Sequence, residues 1–175
     1  MKHVVKMTLA AALLLLPMTA LAQDITTNFV PGTDFGKYKT YKWVAIQGAE
    51  QPDQIVDGQI KLAVDTALAG KGLTKATGDA ADLFIGYQVA VNQERQWNAY
   101  GGGGMRLGGG MGSATSSTLN IGTVALDMYD SGAKSLVWKG QATKTLSPSK
   151  DATKNQDNLN KAMAKLLKDF PPKAK

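Results

Sequence analysis

Cysteine is absent from all 175 residues, and histidine occurs once, as His3. Without thiols there is no disulfide, no thiolate nucleophile and no sulfur-bound zinc or iron–sulfur cluster. His3 lies in a segment marked for removal: Lys2, His3 and Lys6 precede an apolar run from Met7 to Leu16, followed by Pro17 and Ala20-Leu21-Ala22. A basic start, an apolar stretch and small residues in that order form a secretory signal. The run of about ten residues is too short to span a hydrocarbon layer that needs roughly twenty. We therefore expect scission after Ala22, before Gln23, and a soluble exported product. No cysteine follows the run, so no lipid anchor is expected there. The processed chain then has neither imidazole nor thiol. That excludes a Ser-His-Asp triad, a Cys-His pair, histidine-bound zinc and ordinary haem ligation. Neither a metal nor a cofactor is expected.

Arginine is nearly as scarce. The chain carries 20 Lys+Arg against 14 Asp+Glu, but only Arg95 and Arg106 are arginine. Base and phosphate recognition favours the guanidinium fork, so nucleic acid is not an expected partner. The positive surplus is local, because seven lysines and three aspartates fall between Lys150 and Lys175. Lys154, Lys161, Lys165 and Lys168 recur at helical spacing, as a solvated helix face or as a contact for anionic headgroups or cell-wall polymer. Peripheral membrane contact through these lysines is an alternative to the solvated face.

Residues 23–175 are long enough for one domain with one core. Ile25, Thr27 and Phe29 alternate with polar residues as a first strand, ended by Pro31-Gly32; Asp34 to Lys37 reads as a turn. Tyr38 to Ala45 reads as a second strand. From Asp53 the period changes: Val56, Ile60, Ala63, Val64, Ala67 and Leu68 line one face of a helix that Asp53 caps and Gly70 or Gly72 stops. A short strand at Leu73 to Lys75 follows. Leu83, Ile85, Tyr87, Val89 and Val91 then alternate strictly, marking a long half-buried strand. Leu119 to Tyr129 is another, whose apolar phase changes near Gly122 and Thr123, where a β-bulge is expected. Asp130 to Lys134 is a tight turn, and Leu136 to Leu146 the returning strand. After Pro148, Thr153 and Gln156 have the form of a capping box. Leu159, Met163, Leu166 and Phe170 form a buried stripe, and Pro171-Pro172 ends the helix. The expected fold is α+β: an antiparallel sheet with two helices on one face, a two-layer sandwich.

Gly101 to Gly112 holds eight glycines in twelve residues. So many glycines read as a loop, and a Gly-rich hairpin loop is expected over 98–117. It lacks the Lys-Ser/Thr ending of a phosphate-binding loop, and a strand rather than a helix follows. Trp97, Tyr100, Met105, Arg106, Leu107 and Met111 give this segment the anchors of a partner-binding loop.

Two Ser-x-x-Lys spacings, Ser131 with Lys134 and Ser147 with Lys150, resemble the serine–lysine pairing of penicillin-recognising enzymes but lack its accompanying motifs. Carboxylate pairs can hydrolyse glycosides; Asp127 with Asp130, and Asp79 with Asp82, flank strand ends, where turn capping accounts for them more simply. No catalytic residue is assigned.

The run Asp34-Phe35-Gly36-Lys37-Tyr38-Lys39-Thr40-Tyr41-Lys42-Trp43 resembles the opening signature of the bacterial envelope family known as domain of unknown function 4136. Leu68-Ala69-Gly70-Lys71-Gly72-Leu73, Ala81-Asp82-Leu83 leading to Gly86-Tyr87, and Gly122-Thr123 with Leu126-Asp127 leading to Leu136-Val137-Trp138-Lys139-Gly140 are similar to later parts of it, as is the ending Leu166 to Pro172. The resemblance implies a periplasmic or outer-membrane-associated domain without assigned activity or catalytic residues. Many members carry a lipidated cysteine after the signal, where this chain has Gln23. In physical terms, Tyr41, Trp43 and Trp138 are expected as core or sheet-face aromatics, and Gly140 as a site of close approach. The leading expectation is a non-enzymatic envelope protein that binds another envelope component or a small ligand. The alternatives are a carboxylate- or lysine-dependent enzyme acting on cell-wall glycan, and an outer-membrane or lipid accessory protein.

Overall fold

The computed structural model describes residues 23–49, 52–99, 114–147 and 149–173. The strands are β1 (Asp24–Phe29), β2 (Thr40–Trp43), β3 (Thr74–Lys75), β4 (Leu83–Ala99), β5 (Ala114–Asp130) and β6 (Ser135–Thr145); the helices are α1 (Gln54–Ala69) and α2 (Ala152–Leu166). They form one six-stranded sheet in the order β1-β6-β5-β4-β2-β3. The α+β sandwich is as the sequence indicates, except that the sheet is mixed. β4, β5, β6 and β1 pair antiparallel, whereas β2 lies parallel to both β3 and β4. Parallel neighbours need a crossover connection, and α1 supplies it between β2 and β3.

Asp53 caps α1, its carboxylate accepting from the Ile55 and Val56 N–H groups. Ile60, Ala63, Val64 and Leu68 are buried on the face turned to the sheet. α2 starts differently from the capping box expected at Thr153. Asp151 is the cap, accepting from the Thr153 and Lys154 N–H groups. Gln156 instead donates to the Gln59 carbonyl, tying α2 to α1. Two residues suited to capping lie close together here, and the carboxylate upstream takes the exposed N–H groups.

The core lies between the helices and one sheet face. Leu83, Ile85 and Tyr87 of β4 project into it beside Leu126 and Met128 of β5 and Trp138 and Ala142 of β6. From α2 and the turn after it come Met163, Leu166, Leu167 and Phe170, all buried. Gly140 is the close approach expected. A Cβ there would collide with the Trp138 ring and stand 2.8 Å from a Leu166 methyl.

The bulge lies elsewhere than expected. β5 and β6 stay in register through Gly122 and Thr123, and the shift falls between Met128 and Tyr129, which pair with Trp138 and Leu136 and leave Val137 as the extra residue. The change of apolar phase near Gly122 has another cause. Leu146 lies over Gly122, where a Cβ would stand 2.5 Å from its side chain, so an apolar residue from a neighbouring segment fills that position.

Candidate functional site

The expected loop anchors fall mostly outside the described residues: this holds for Tyr100, Met105, Arg106, Leu107 and Met111. Trp97 lies within β4, paired in register with Ser116. β4 runs to Ala99 and β5 begins at Ala114, so strands occupy the flanks of the segment expected as loop over 98–117. Lys154, Lys161 and Lys165 project from α2 and Lys168 from the turn beyond it, all exposed. They form an exposed basic face, and the Lys168 carbonyl accepts from Lys71 of the α1–β3 turn at 2.6 Å.

Three of the four weighed carboxylates have visible local duties. Asp82 accepts from the Lys39 and Thr40 N–H groups, each at 2.8 Å, and from the Thr40 hydroxyl at 3.0 Å. It clamps the start of β2 to the start of β4, and the two N–H bonds lower its pKa first of all. Asp130 accepts from the Gly132 and Ala133 N–H groups, closing the β5–β6 turn, and from Lys37 at 2.7 Å and the Tyr38 hydroxyl at 2.8 Å. The Ala133 N–H is foremost in holding that carboxyl far below the usual range. Asp79 makes an exposed ion pair with Lys42. Asp127 is different: it lies on the helix-free face, opposite Lys139, and burial raises its pKa against the pull of that lysine. The serine–lysine spacings lack a catalytic setting. Ser131 donates to the Ala81 carbonyl, Lys134 sits in the turn at φ 52°, and Ser147 and Lys150 are exposed.

The signs of these shifts fix the pH response. Carboxylates lowered on folding, as Asp57, Asp82 and Asp130 are, stabilise the fold above the ordinary carboxylate range near about 4. That stabilisation is lost as pH falls through this range toward their lowered values. Asp127, raised, acts in the opposite sense, because the fold gains as it takes up its proton. Denaturant midpoints should therefore fall steeply below about pH 4. Asp82→Ala should cost about 2 kcal/mol at neutral pH and make the acid limb shallower. An acid limb as steep in Asp82→Ala as in the parent would show that the clamp contributes nothing to it.

The first candidate surface is the β4–β5 hairpin. β6 stops pairing at Thr145, opposite Ile121, and β2 stops at Trp43, opposite Ile85. Beyond the Leu146 N–H, which donates to the Asn120 carbonyl at 2.7 Å, β4 and β5 continue with no further strand beside them among the described residues, from the pair Gln93–Asn120 to the pair Ala99–Ala114, a two-stranded ribbon of about 23 Å at roughly 3.3 Å per residue. Among the described residues, the buried core contains none between Tyr87 and Leu126. Among the described residues, the β4 edge beyond Ile85 has no neighbouring strand. Such an edge is a template for pairing. The helix-free face beside it carries Phe84, Gln88, Ala125, Tyr129, Gln141 and Thr143 at alternate positions.

The second is a cleft at the opposite edge, which sequence reasoning missed. β3 ends after Lys75, and the Tyr41 carbonyl accepts from the Ala76 N–H at 2.8 Å, while β2 continues to Trp43. The resulting notch, of about 430 Å³, is lined by Lys42, Trp43, Lys61, Lys75 and the segment Ala76-Thr77-Gly78-Asp79. Its wall is rigidly built. Asp65 of α1 accepts from the Tyr41 hydroxyl at 2.7 Å, the Trp43 indole N–H at 2.8 Å and Lys75 at 3.1 Å. Two turns earlier, Asp57 accepts from the Tyr87 hydroxyl at 2.5 Å and from Lys61 at 3.0 Å. Burial, then the facing carboxylates, push both tyrosine hydroxyls far up, so both remain donors at any ordinary pH. Trp43 also stands edge-on to Tyr87, with ring centroids 5.9 Å apart. The three lysines come from two strands and a helix; no motif in the sequence announces them.

Among the described residues, no group of three or more acidic or histidine side chains is placed to hold a metal, and no helix is long and apolar enough to cross a membrane. The fold is similar to part of a PDZ domain protein from Parabacteroides distasonis, at a TM-score of 0.57 and 14% identity, covering 86% of this chain and 36% of that one. The chain thus spans about a third of that protein's length. It is also similar to a point variant of the PelC dodecamer from Paraburkholderia phytofirmans, at a TM-score of 0.50 and 15% identity, covering 83% of this chain and 95% of that one. At these identities the likeness is one of fold. No curated protein matches. Over residues 25–172 the sequence matches the family described as Domain of unknown function (DUF4136), and the chain belongs to it.

Proposed function

We propose that this chain is a non-enzymatic, exported module of the bacterial envelope, which engages another envelope component through the β4–β5 ribbon and the helix-free face beside it. The observation that carries the reading is the ribbon: two strands of 17 residues each continue, among the described residues, past the strands that support them, and none of the ribbon's described side chains belongs to the buried core. An isolated two-stranded ribbon is at best marginally stable in water. A contact that covers its faces or pairs its edge supplies what the domain does not. The absence of histidine after residue 3 and of cysteine throughout favours holding over converting, and the local duties of Asp82 and Asp130 leave these carboxylates occupied. The PelC relative is a dodecamer by name, which makes a second copy of this chain one partner to test.

Gln93 and Asn120 face each other in register, so an Asn-Gly turn in place of residues 94–119 closes the hairpin where its support ends. The shortened protein should keep its unfolding midpoint and lose its partners, read by crosslinking and native mass spectrometry of protein recovered from envelope extract, and by sedimentation of the pure protein. Recovery of the same partners and the same oligomer by the shortened form would remove the ribbon from this account. Peptide mapping of exported material tests the processing site, with Gln23 expected as the first residue.

A further inference from the structure

We propose that the outer edge of β1 is a two-fold interface through which two copies of this chain join their sheets, with Thr27 meeting Thr27 on the axis. This goes beyond the ribbon reading and does not depend on it. β1 closes one side of the sheet, and among the described residues no strand pairs with its outer edge. The Val30 N–H donates to the Val137 carbonyl at 3.0 Å. Along an antiparallel pair the bonding direction alternates residue by residue, so Asp24, Thr26 and Asn28 turn their main-chain groups to β6. Ile25, Thr27 and Phe29 turn theirs outward. Phe29 agrees with this, because its N–H donates to the neighbouring Asn28 side chain at 2.9 Å rather than to β6. A bond so exposed contributes little and is readily exchanged for one to a carbonyl.

The strand is complementary to itself. Turned antiparallel about Thr27, it sets Ile25 opposite Phe29 of the second copy and Phe29 opposite Ile25. Every outward residue then meets an outward residue, and each facing pair exchanges two main-chain bonds. The side chains favour the same register. Ile25 packs against the core, whereas Phe29 is 39% exposed although its ring stands edge-on to Phe35; Ile25 of the second copy gives it an apolar neighbour. On the other face Thr26 meets Asn28 and Asp24 meets Val30, so no charge opposes a like charge. A shift of one residue sets outward groups against inward ones, and a shift of two sets Phe29 against Gln23. β1 also lacks the lysine, proline or bulge that blunts an edge. Joining the sheets brings the two α2 helices alongside each other. Gln156 faces α1 and Met163 is buried, so by helical spacing the flank of α2 toward β1 carries Asn158 and Ala162, with its lysines further round.

Sedimentation of the parent over a wide concentration range should show a reversible dimer. Thr27→Pro removes an outward N–H, which an edge strand tolerates, and should sediment as a monomer where the parent is mostly dimer, with its unfolding midpoint at high dilution unchanged. Because the chain has no cysteine, a single introduced thiol reports the register whether or not the proline form folds. Thr27→Cys places two thiols across the axis, where a facing pair stands about 5.5 Å apart at Cα, within disulfide reach. Mild oxidation should link it as a covalent dimer. Asp24→Cys, in the same strand but about 20 Å from its counterpart at roughly 3.3 Å per residue, should stay unlinked. The protein with the ribbon shortened should dimerise as the parent does, so this proposal and the ribbon reading fail separately. A parent that stays monomeric at every concentration, a Thr27→Pro dimer as tight as the parent's, or linkage of Asp24→Cys as ready as that of Thr27→Cys would overturn the interface.

Discussion

A chain ended after Ala162 should lose the cooperative unfolding of the whole domain, not merely its last turns. Met163, Leu166, Leu167 and Phe170 are each no more than 3% exposed, and all lie beyond that point. Burying four such side chains contributes about 6–12 kcal/mol before chain entropy is counted, against a net stability of about 5–15 kcal/mol for an ordinary domain. The loss also uncovers the apolar face of β6 and the side of α1 that α2 covers. Near-ultraviolet circular dichroism should collapse, with dye binding typical of exposed apolar surface. A truncated protein that retained a sharp thermal transition near the parent's would contradict this account of the core.

Trp138→Ala is the single substitution with the largest expected cost, about 3–5 kcal/mol and a fall in midpoint of roughly 10 °C or more. The indole is 2% exposed, stands edge-on to Phe170 at 5.5 Å between centroids, and lies across Gly140 in the space a Cβ would need. Its removal therefore empties volume that no neighbour can refill, since glycine offers no side chain to move in. Differential scanning calorimetry of the pair Trp138→Ala and Trp138→Phe separates the terms. The phenylalanine form should recover about half the loss, because it keeps a ring but not the full volume. A midpoint within about 2 °C of the parent's for Trp138→Ala would show the ring to be peripheral.

Much of the fold was legible because local physics and tertiary structure agree. Asp53 caps α1 as its position before an apolar stripe suggests, and the alternation from Leu83 to Tyr87 does mark the buried face of a strand. What could not be read lies where distant residues decide. The ribbon carries Gln93 and Arg95 in one strand and Thr118 and Asn120 in the other; none of its described side chains belongs to the buried core, so no apolar period announces it. The register shift is hidden in the unbroken apolar run Leu136-Val137-Trp138, whereas the phase change at Gly122 reflects Leu146 arriving from the end of β6. The lysine cleft stayed invisible because it needs β2 and β3 side by side in parallel. That neighbourhood is set by a helical crossover, and no spacing in the chain records it. The carboxylates Asp82 and Asp130 were legible as turn and strand-end residues, but not as clamps reaching back more than forty and ninety positions to Thr40 and Lys37.

β1 is the earliest strand of the chain and the last to gain a neighbour. Among the described residues its one companion is β6, more than a hundred residues downstream. A polypeptide delivered amino end first through a narrow conduit must therefore leave Asp24–Phe29 solitary until Ser135–Thr145 has emerged. Contacts so far apart along the chain close slowly, and during that interval the idle strand is open to holding factors and proteases. Final closure of the sheet is in this way tied to the arrival of nearly the entire polypeptide.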